Sequence, residues 1–128
     1  MNTPAQELPG LAVSLDRLIY KKVSCPGTTS THAFVYYLTI SNKSHRTVRL
    51  FGRKWVVRED NGRVLVVEGD GIIGQNPKLA PGETFSYHSH HLTSRDATAK
   101  GCFFGTDVFQ NLILVHIPAF AMKVPPAK

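Results

Sequence analysis

The chain has 128 residues, 42% hydrophobic and 19% charged, the composition of one globular domain able to bury its own core rather than of a disordered chain. Fifteen Lys and Arg against nine Asp and Glu give a formal net charge of +6; this favours acidic partners and does not by itself mean nucleic acid. The first ten residues lack the basic start and apolar run of a signal peptide, and no stretch approaches the roughly 20 apolar residues of a membrane-spanning helix. A cytoplasmic protein without a membrane partner is expected.

Residues 1–10, with Pro4 and Pro9, read as a flexible N-terminal segment. Residues 11–122 read as the domain and 123–128, with VPPAK, as a flexible tail. Along the domain apolar residues recur with period two, the mark of strands with one buried face. LAVSLDRLIY puts Leu11, Val13 and Leu15 on one face; after the turn cluster PGTTST, AFVYYLTIS puts Phe34, Tyr36, Leu38 and Ile40 on one face and Val35, Tyr37 and Thr39 on the other. Beyond SNKSH, strands are expected over 46–51 and 53–59. Val48 and Leu50 share one parity and Trp55 and Val57 the other, so Gly52 between them is expected at a bulge. Asp60-Asn61-Gly62 is the best hairpin signal, because Asn-Gly readily supplies positive φ angles. Further strands are expected over 63–68, 83–90, 101–105 and 112–117, with NPKLAPGE as a turn cluster. Eight prolines punctuate the chain and no helical stripe is present, so the pattern implies a β-sandwich or barrel.

Gly69-x-Gly71-x-x-Gly74 has the spacing of a pyrophosphate-binding loop. That loop needs a helix after the glycines to aim its N-terminus at the phosphates. Here Pro77, Pro81 and Gly82 follow and forbid one. The glycines are therefore expected to serve a strand-to-turn connection. An anion held in a nest of amides stays open, with Gly69, Gly71 and Gly74 and with Arg53, Lys54 or Lys78 nearby.

His88, His90 and His91 are the one cluster of ligand-type side chains. On a strand His88 and His90 project from one face and His91 from the other. Two imidazoles make a weak site for cobalt, nickel or zinc, and a third ligand would have to come from His32, His45, Glu83 or Asp96. A polar strand edge facing solvent explains the histidines without a metal, so no cofactor is expected. Cys25 and Cys102 form no CxxC pattern; Cys102, among aromatics in GCFFG, reads as a buried, inert thiol.

RTVRLFGRKWVVR joins five basic residues to Phe51 and Trp55, yet Trp55 has the parity of the core, and a buried indole cannot stack on a base. Nucleic acid is therefore set aside. Ser86 and Ser89 lie beside histidines but in no nucleophile elbow, and no carboxylate is patterned to orient a base. Asp60, Glu68 and Asp70 fall in turns or loops. No catalytic residue is expected, and the chain reads as a non-enzyme.

Arg53-x-Trp55, Asn61-Gly62, VEGDGIIGQNPKLAPGETFSYHS and Ile117-Pro118-x-Phe120 occur in the order of the ApaG family pattern, and the chain resembles that family over most of residues 11–122. The resemblance implies an all-β, fibronectin type III or immunoglobulin-like sandwich of about seven to eight antiparallel strands. It differs where many members carry G-x-M-x-G-x-Y-x-M: this chain has Ala97, Ala99, Gly101, Phe103 and Gly105. The histidines of HSHHL are not part of the family pattern. The resemblance also implies a link to cobalt tolerance and magnesium efflux. Similar domains are appended to an F-box ubiquitin-ligase subunit and a polymerase-delta-interacting protein, and a diadenosine tetraphosphatase is a genetic neighbour in bacteria. The expected function is a module that binds another protein through a loop end or an exposed strand edge. A nucleotide- or pyrophosphate-binding protein and a transition-metal binder are the alternatives, and exposed edges leave a homodimer open.

Overall fold

Nine strands follow one another in the computed structural model, which describes residues 4–24, 27 and 31–126. They are β1 (Gln6–Glu7), β2 (Leu11–Lys22), β3 (His32–Asn42), β4 (Val48–Glu59), β5 (Val64–Asp70), β6 (Lys78–Leu79), β7 (Thr84–Thr93), β8 (Ala97–Asp107) and β9 (Leu112–Met122). Cys25 and most of the PGTTST turn lie outside the described residues. The larger sheet runs β1-β9-β8-β4-β5, with β6 also on β4; the smaller runs β2-β3-β7. Every pairing is antiparallel except β1 with β9, which is parallel. The two sheets face each other as the expected sandwich.

The period-two residues fill the space between them. Phe34, Tyr36, Leu38 and Ile40 from the smaller sheet meet Val48, Leu50, Trp55, Val57, Phe103, Val115 and Ile117 from the larger. Ala97, Ala99, Phe103 and Gly105 all face this core, so the stretch that departs from the family pattern is an interior surface. A phenylalanine at 103 needs no buried hydroxyl partner there.

Bulges change the parity along three strands. The register of β4 shifts between Leu50 and Gly52, and a Cβ on Gly52 would enter the Phe104 ring. The two strands expected over 46–59 are thus one strand kinked at this glycine. A second shift falls at Asp16 in β2, between Leu15 and Arg17, which leaves Leu15 half-buried and brings Leu18 and Tyr20 against the core. Opposite Lys100 a third shift takes up Pro118, so β9 continues past the proline to Met122 rather than ending at Ile117. The Asn61-Gly62 turn also differs in detail: Gly62 alone has positive φ, at 91°. Gly62 N–H donates to Glu59 O at 2.9 Å and Glu59 N–H to Arg63 O at 2.8 Å, a three-residue loop in which Asn61 keeps an ordinary backbone.

One buried polar group ties three segments together. Asn42 is 1% exposed; its Nδ2 donates to Arg46 O at 2.8 Å and Leu79 O at 2.9 Å, while its Oδ1 accepts from Ser44 N at 3.1 Å and Ser44 Oγ at 2.6 Å. Asn42→Ala would strand these partners out of reach of water. It is expected to cost about 2–3 kcal/mol, read as a lower urea midpoint with unchanged slope. A loss under about 0.5 kcal/mol would contradict the role given to Asn42.

Candidate functional site

The two sheets are unequal in width, and the difference falls on one side. β2 runs beside β9 on the closed side. On the other, β7 ends the three-stranded sheet while the larger sheet continues through β4 to β5. β5 therefore overhangs, with no strand facing it among the described residues. Val64, Leu65, Val66 and Val67 are between 36% and 51% exposed, and Leu92 on β7 is 39% exposed. Between β7 and the overhang runs a trough of three crevices that share walls. Tyr36, Arg53, Trp55 and Ser89 are common to the first and second, and Val57, Leu65 and Leu92 to the second and third.

The first crevice, about 330 Å³, is lined by Tyr36, Arg53, Tyr87, Ser89 and the turn after β5. Gly69 faces Arg53 across the β4–β5 ladder, and the guanidinium lies where a Cβ on Gly69 would stand, 2.6 Å from its Nη2. Arg53 Nη1 donates to Asp70 O at 2.7 Å and Gly71 O at 3.1 Å. Ile72 N–H donates to Gln75 O and Gln75 N–H to Ile72 O, closing a tight turn whose central residues Ile73 and Gly74 have φ of 44° and 77°. Both values belong to a type I′ turn. Ile72, fully buried, plugs the turn into the core. Burial raises the Tyr36 phenol above its usual range, offset in part by the Ser89 hydroxyl and the Arg53 charge. Tyr87 is raised further, by burial first and Tyr36 second. Both phenols are thus neutral donors beside a fixed cation.

His91 stands in the middle crevice, its ring centroid 4.6 Å from Trp55, 4.8 Å from Tyr36 and 6.5 Å from Phe120. Burial first, and the neighbouring His90 second, lower its pKa to about 4, so the ring is neutral at pH 7. The last crevice is lined by Glu59, Arg63 and Thr93 among others. Glu59, 7% exposed, accepts through Oε2 from Ser94 N and Oγ. Its Oε1 lies 3.6 Å from Arg63 Nη1, beyond hydrogen-bond reach. Among the described residues three buried side-chain polar atoms lack a hydrogen-bond partner: Glu59 Oε1, His91 Nε2 and Thr93 Oγ1. All three belong to residues that line this trough.

Of the residues singled out for an anion, the structure brings Arg53 together with Gly69, Gly71 and Gly74. The glycines act as a seat for the guanidinium and as turn residues. Gly71 N–H is taken by Phe51 O at 2.6 Å and Ile72 N–H by Gln75 O, so these amides do not converge on a ligand. Lys54 points to the opposite face, 3.5 Å from Glu68. Lys78 sits on β6 across from Arg49, lining a different crevice with Thr47 and Thr106. His88 and His90 share the exposed outer face of β7, and His88 packs on Tyr37 with ring centroids 5.1 Å apart. Asp96 and Glu83 are committed elsewhere, accepting from Val124 N and Ala80 N. His32 Nδ1 bonds the Tyr20 hydroxyl. No group of three His, Cys, Asp or Glu that could hold a metal occurs among the described residues. Trp55 is 2% exposed, as its parity requires. Cys102 is half-buried rather than buried: it takes the outward parity of β8, opposite Lys54, and partial burial pushes its thiol up.

Sequence reading missed the parts of Tyr36, Glu59 and Thr93 in this trough. Tyr36 and Glu59 carried a signal of inward parity, but not of which crevice it would reach, and Thr93 lies past the strand expected over 83–90, which runs on to it.

These features define an immunoglobulin-like β-sandwich domain left open along one side. A family model described as the ApaG domain matches residues 25–106, and the chain belongs to that family. Protein ApaG of Enterobacter sp. strain 638 is 33% identical over 118 residues, 91% of this chain and 94% of that protein. Protein ApaG of Brucella anthropi is 33% identical over 117 residues, 91% of this chain and 89% of that one. A crystal structure of a protein described as ApaA, from Bordetella pertussis, superposes with a TM-score of 0.73 at 25% identity, covering 97% of this chain and all of that one. An X-ray structure from a structural genomics consortium superposes with a TM-score of 0.82 at 21% identity, covering 92% of this chain and 89% of that one; it supports the fold alone.

Proposed function

We propose that this ApaG-domain chain is a non-enzymatic interaction module that takes an extended segment of another protein as a fourth strand of its smaller sheet, on the free edge of β7. The observation that carries the reading is the mismatch in width between the sheets. A strand added to β7 would lie over β4 and β5, cover Leu65 and Val67, and give the unpaired edge of β7 its missing ladder. A second copy of this chain is a poorer occupant, because it would bring +6 against +6. On this reading any part in cobalt tolerance or magnesium efflux is exercised through the partner.

Extended peptides selected for binding from a random library are the test, mapped by amide NMR on the full chain. Expected binders alternate apolar and polar residues, protect alternate β7 amides from exchange, and lose about tenfold or more in affinity against Leu65→Asp. Leu65 is 47% exposed, so that variant keeps its fold. Binders that map to the closed side, or that ignore Leu65→Asp, refute the reading. Concentration-dependent dimerisation through β7 would do the same. ATP added in the same titration tests the small-anion alternative, for which the Arg53 crevice speaks; shifts confined to residues 69–74 and Arg53 would favour it over strand addition.

A further inference from the structure

The trough has opposite chemistry at its two ends, and this bears on which segments it accepts. At the first end Arg53 and three hydroxyls favour negative charge, and Asp70, the one carboxylate residue of that lining, makes no ion pair with Arg53. Arg53 uses Nη1 on the Asp70 and Gly71 carbonyls and keeps Nε and Nη2 without a protein acceptor among the described residues. The hydroxyls of Tyr36, Tyr87 and Ser89 line the same crevice, and among the described residues no carboxylate forms an ion pair with the guanidinium. A carboxylate seated there would meet a cation and several O–H donors already partly desolvated, where charge-assisted hydrogen bonds are strongest.

At the other end two buried acceptors are left without a hydrogen-bond donor, although Arg63 pairs with Glu59 at longer range. Glu59 Oε1 and Thr93 Oγ1 line the third crevice, their residues 7% and 1% exposed, and neither atom has a hydrogen-bond partner. A buried carboxylate oxygen left in this state is costly. Arg63, the nearest cation, stays at 3.6 Å with its side chain 61% exposed. Between the ends the walls are mostly apolar, with Trp55, Val57, Leu65, Val67 and Leu92 around the neutral ring of His91 and beside His90. Arg53 and Glu59 lie six positions apart on β4, which sets the ends at roughly 20 Å.

Resting on the strand-addition reading of this trough, we infer that the accepted segment is bipolar. It carries an acidic side chain that enters the crevice of Arg53, Tyr36, Tyr87 and Ser89. About six residues along it carries a basic side chain that donates to Glu59 Oε1 and Thr93 Oγ1. Apolar side chains between them cover Leu65 and Val67. The acidic residue, rather than the net charge of the partner, sets the register of the added strand on β7.

The test uses synthetic peptides of about eight residues with alternating Val and Thr. Glu and Lys stand six positions apart on the face that carries Val, in either order, and a control carries Gln at both. Binding to the full chain is followed by amide NMR and by Trp55 fluorescence. One of the two charged orders is expected to bind at least about tenfold more tightly than the Gln control. Its gain from Glu is lost with Arg53→Met, and its gain from Lys with Glu59→Gln, each gain being read as a ratio to the Gln control on the same variant. Because the peptide charges are varied independently of the protein, the comparison stands even if one variant folds poorly. Equal binding of charged and control peptides at β7 overturns the bipolar inference and leaves strand addition standing. No shift on β5 or β7 with any peptide overturns both.

Discussion

Gly105→Ala is expected to be the most damaging single substitution in this domain, costing about 3 kcal/mol or preventing folding. Gly105 lies on β8 opposite Leu50, next to the β4 bulge. A Cβ there would overlap the carbonyl oxygen of Arg49 and stand 2.8 Å from Arg49 C and Leu50 Cα. Those atoms are backbone in the central ladder of the larger sheet, so no rotamer change relieves the overlap. Gly69→Ala is the instructive contrast. Its Cβ would meet the Arg53 guanidinium at 2.6 Å, the far end of a flexible side chain that can swing away. That variant should keep most of its stability and lose the seated Arg53. Urea unfolding of the two variants beside the parent decides the matter. A Gly105→Ala midpoint matching the parent would mean that the β4–β8 register differs from the one described.

Acid should weaken the fold well above the range in which carboxylates titrate, and His91 is the cause. Its pKa is about 4 in the folded domain against 6.5 when free. Below pH 6.5 the unfolded chain takes up a proton that the folded ring refuses. Stability therefore falls as pH drops from about 6.5 to about 4, by roughly 3 kcal/mol in all, and is fully present above that window. The rings around His91 are Tyr36, Trp55 and Phe120. Of these only Tyr36 titrates, far above this range, and His90, next along the strand, adds repulsion once charged. His91→Phe should flatten the dependence between pH 7 and 5. An imidazole resonance of His91 moving with a midpoint near 6.5, or an unchanged slope in His91→Phe, would remove this explanation.

The strands were legible wherever one face is buried and the chain pairs regularly, because alternation is a local signal. Phe34 to Ile40, the switch at Gly52 and the turn at Gly62 needed only neighbours in sequence. The full length of β9 was hidden by Pro118, since a bulge that accommodates a proline is created by the partner strand. Leu15 and Leu18 were split by the bulge at Asp16 in the same way. The candidate site was less legible. Arg53 and the three glycines could be named, but not that the guanidinium fills the space left by the missing Cβ of Gly69, because that contact depends on the β4–β5 register. Tyr36, Tyr87 and Glu59 come to the trough from β3, β7 and β4, and no spacing rule connects them. That His91 takes the face opposite His88 and His90 was readable, but the solvent-facing edge expected for the histidines fails at His91, whose face turns inward among Tyr36, Trp55 and Phe120.

The one parallel pairing has a consequence for vectorial synthesis. β1 rests on β9, more than a hundred residues further along the chain, and β4 in the larger sheet waits for β8. A nascent chain can form the β2–β3 hairpin early, from local contacts. It then holds Phe34, Tyr36, Leu38 and Ile40 incompletely covered until β8 and β9 have followed. Long-range ladders of this kind close late and slowly. The interval between the first hairpin and the last strand is thus the period in which apolar surface is most exposed to aggregation, and slowing translation after β3 would lengthen it.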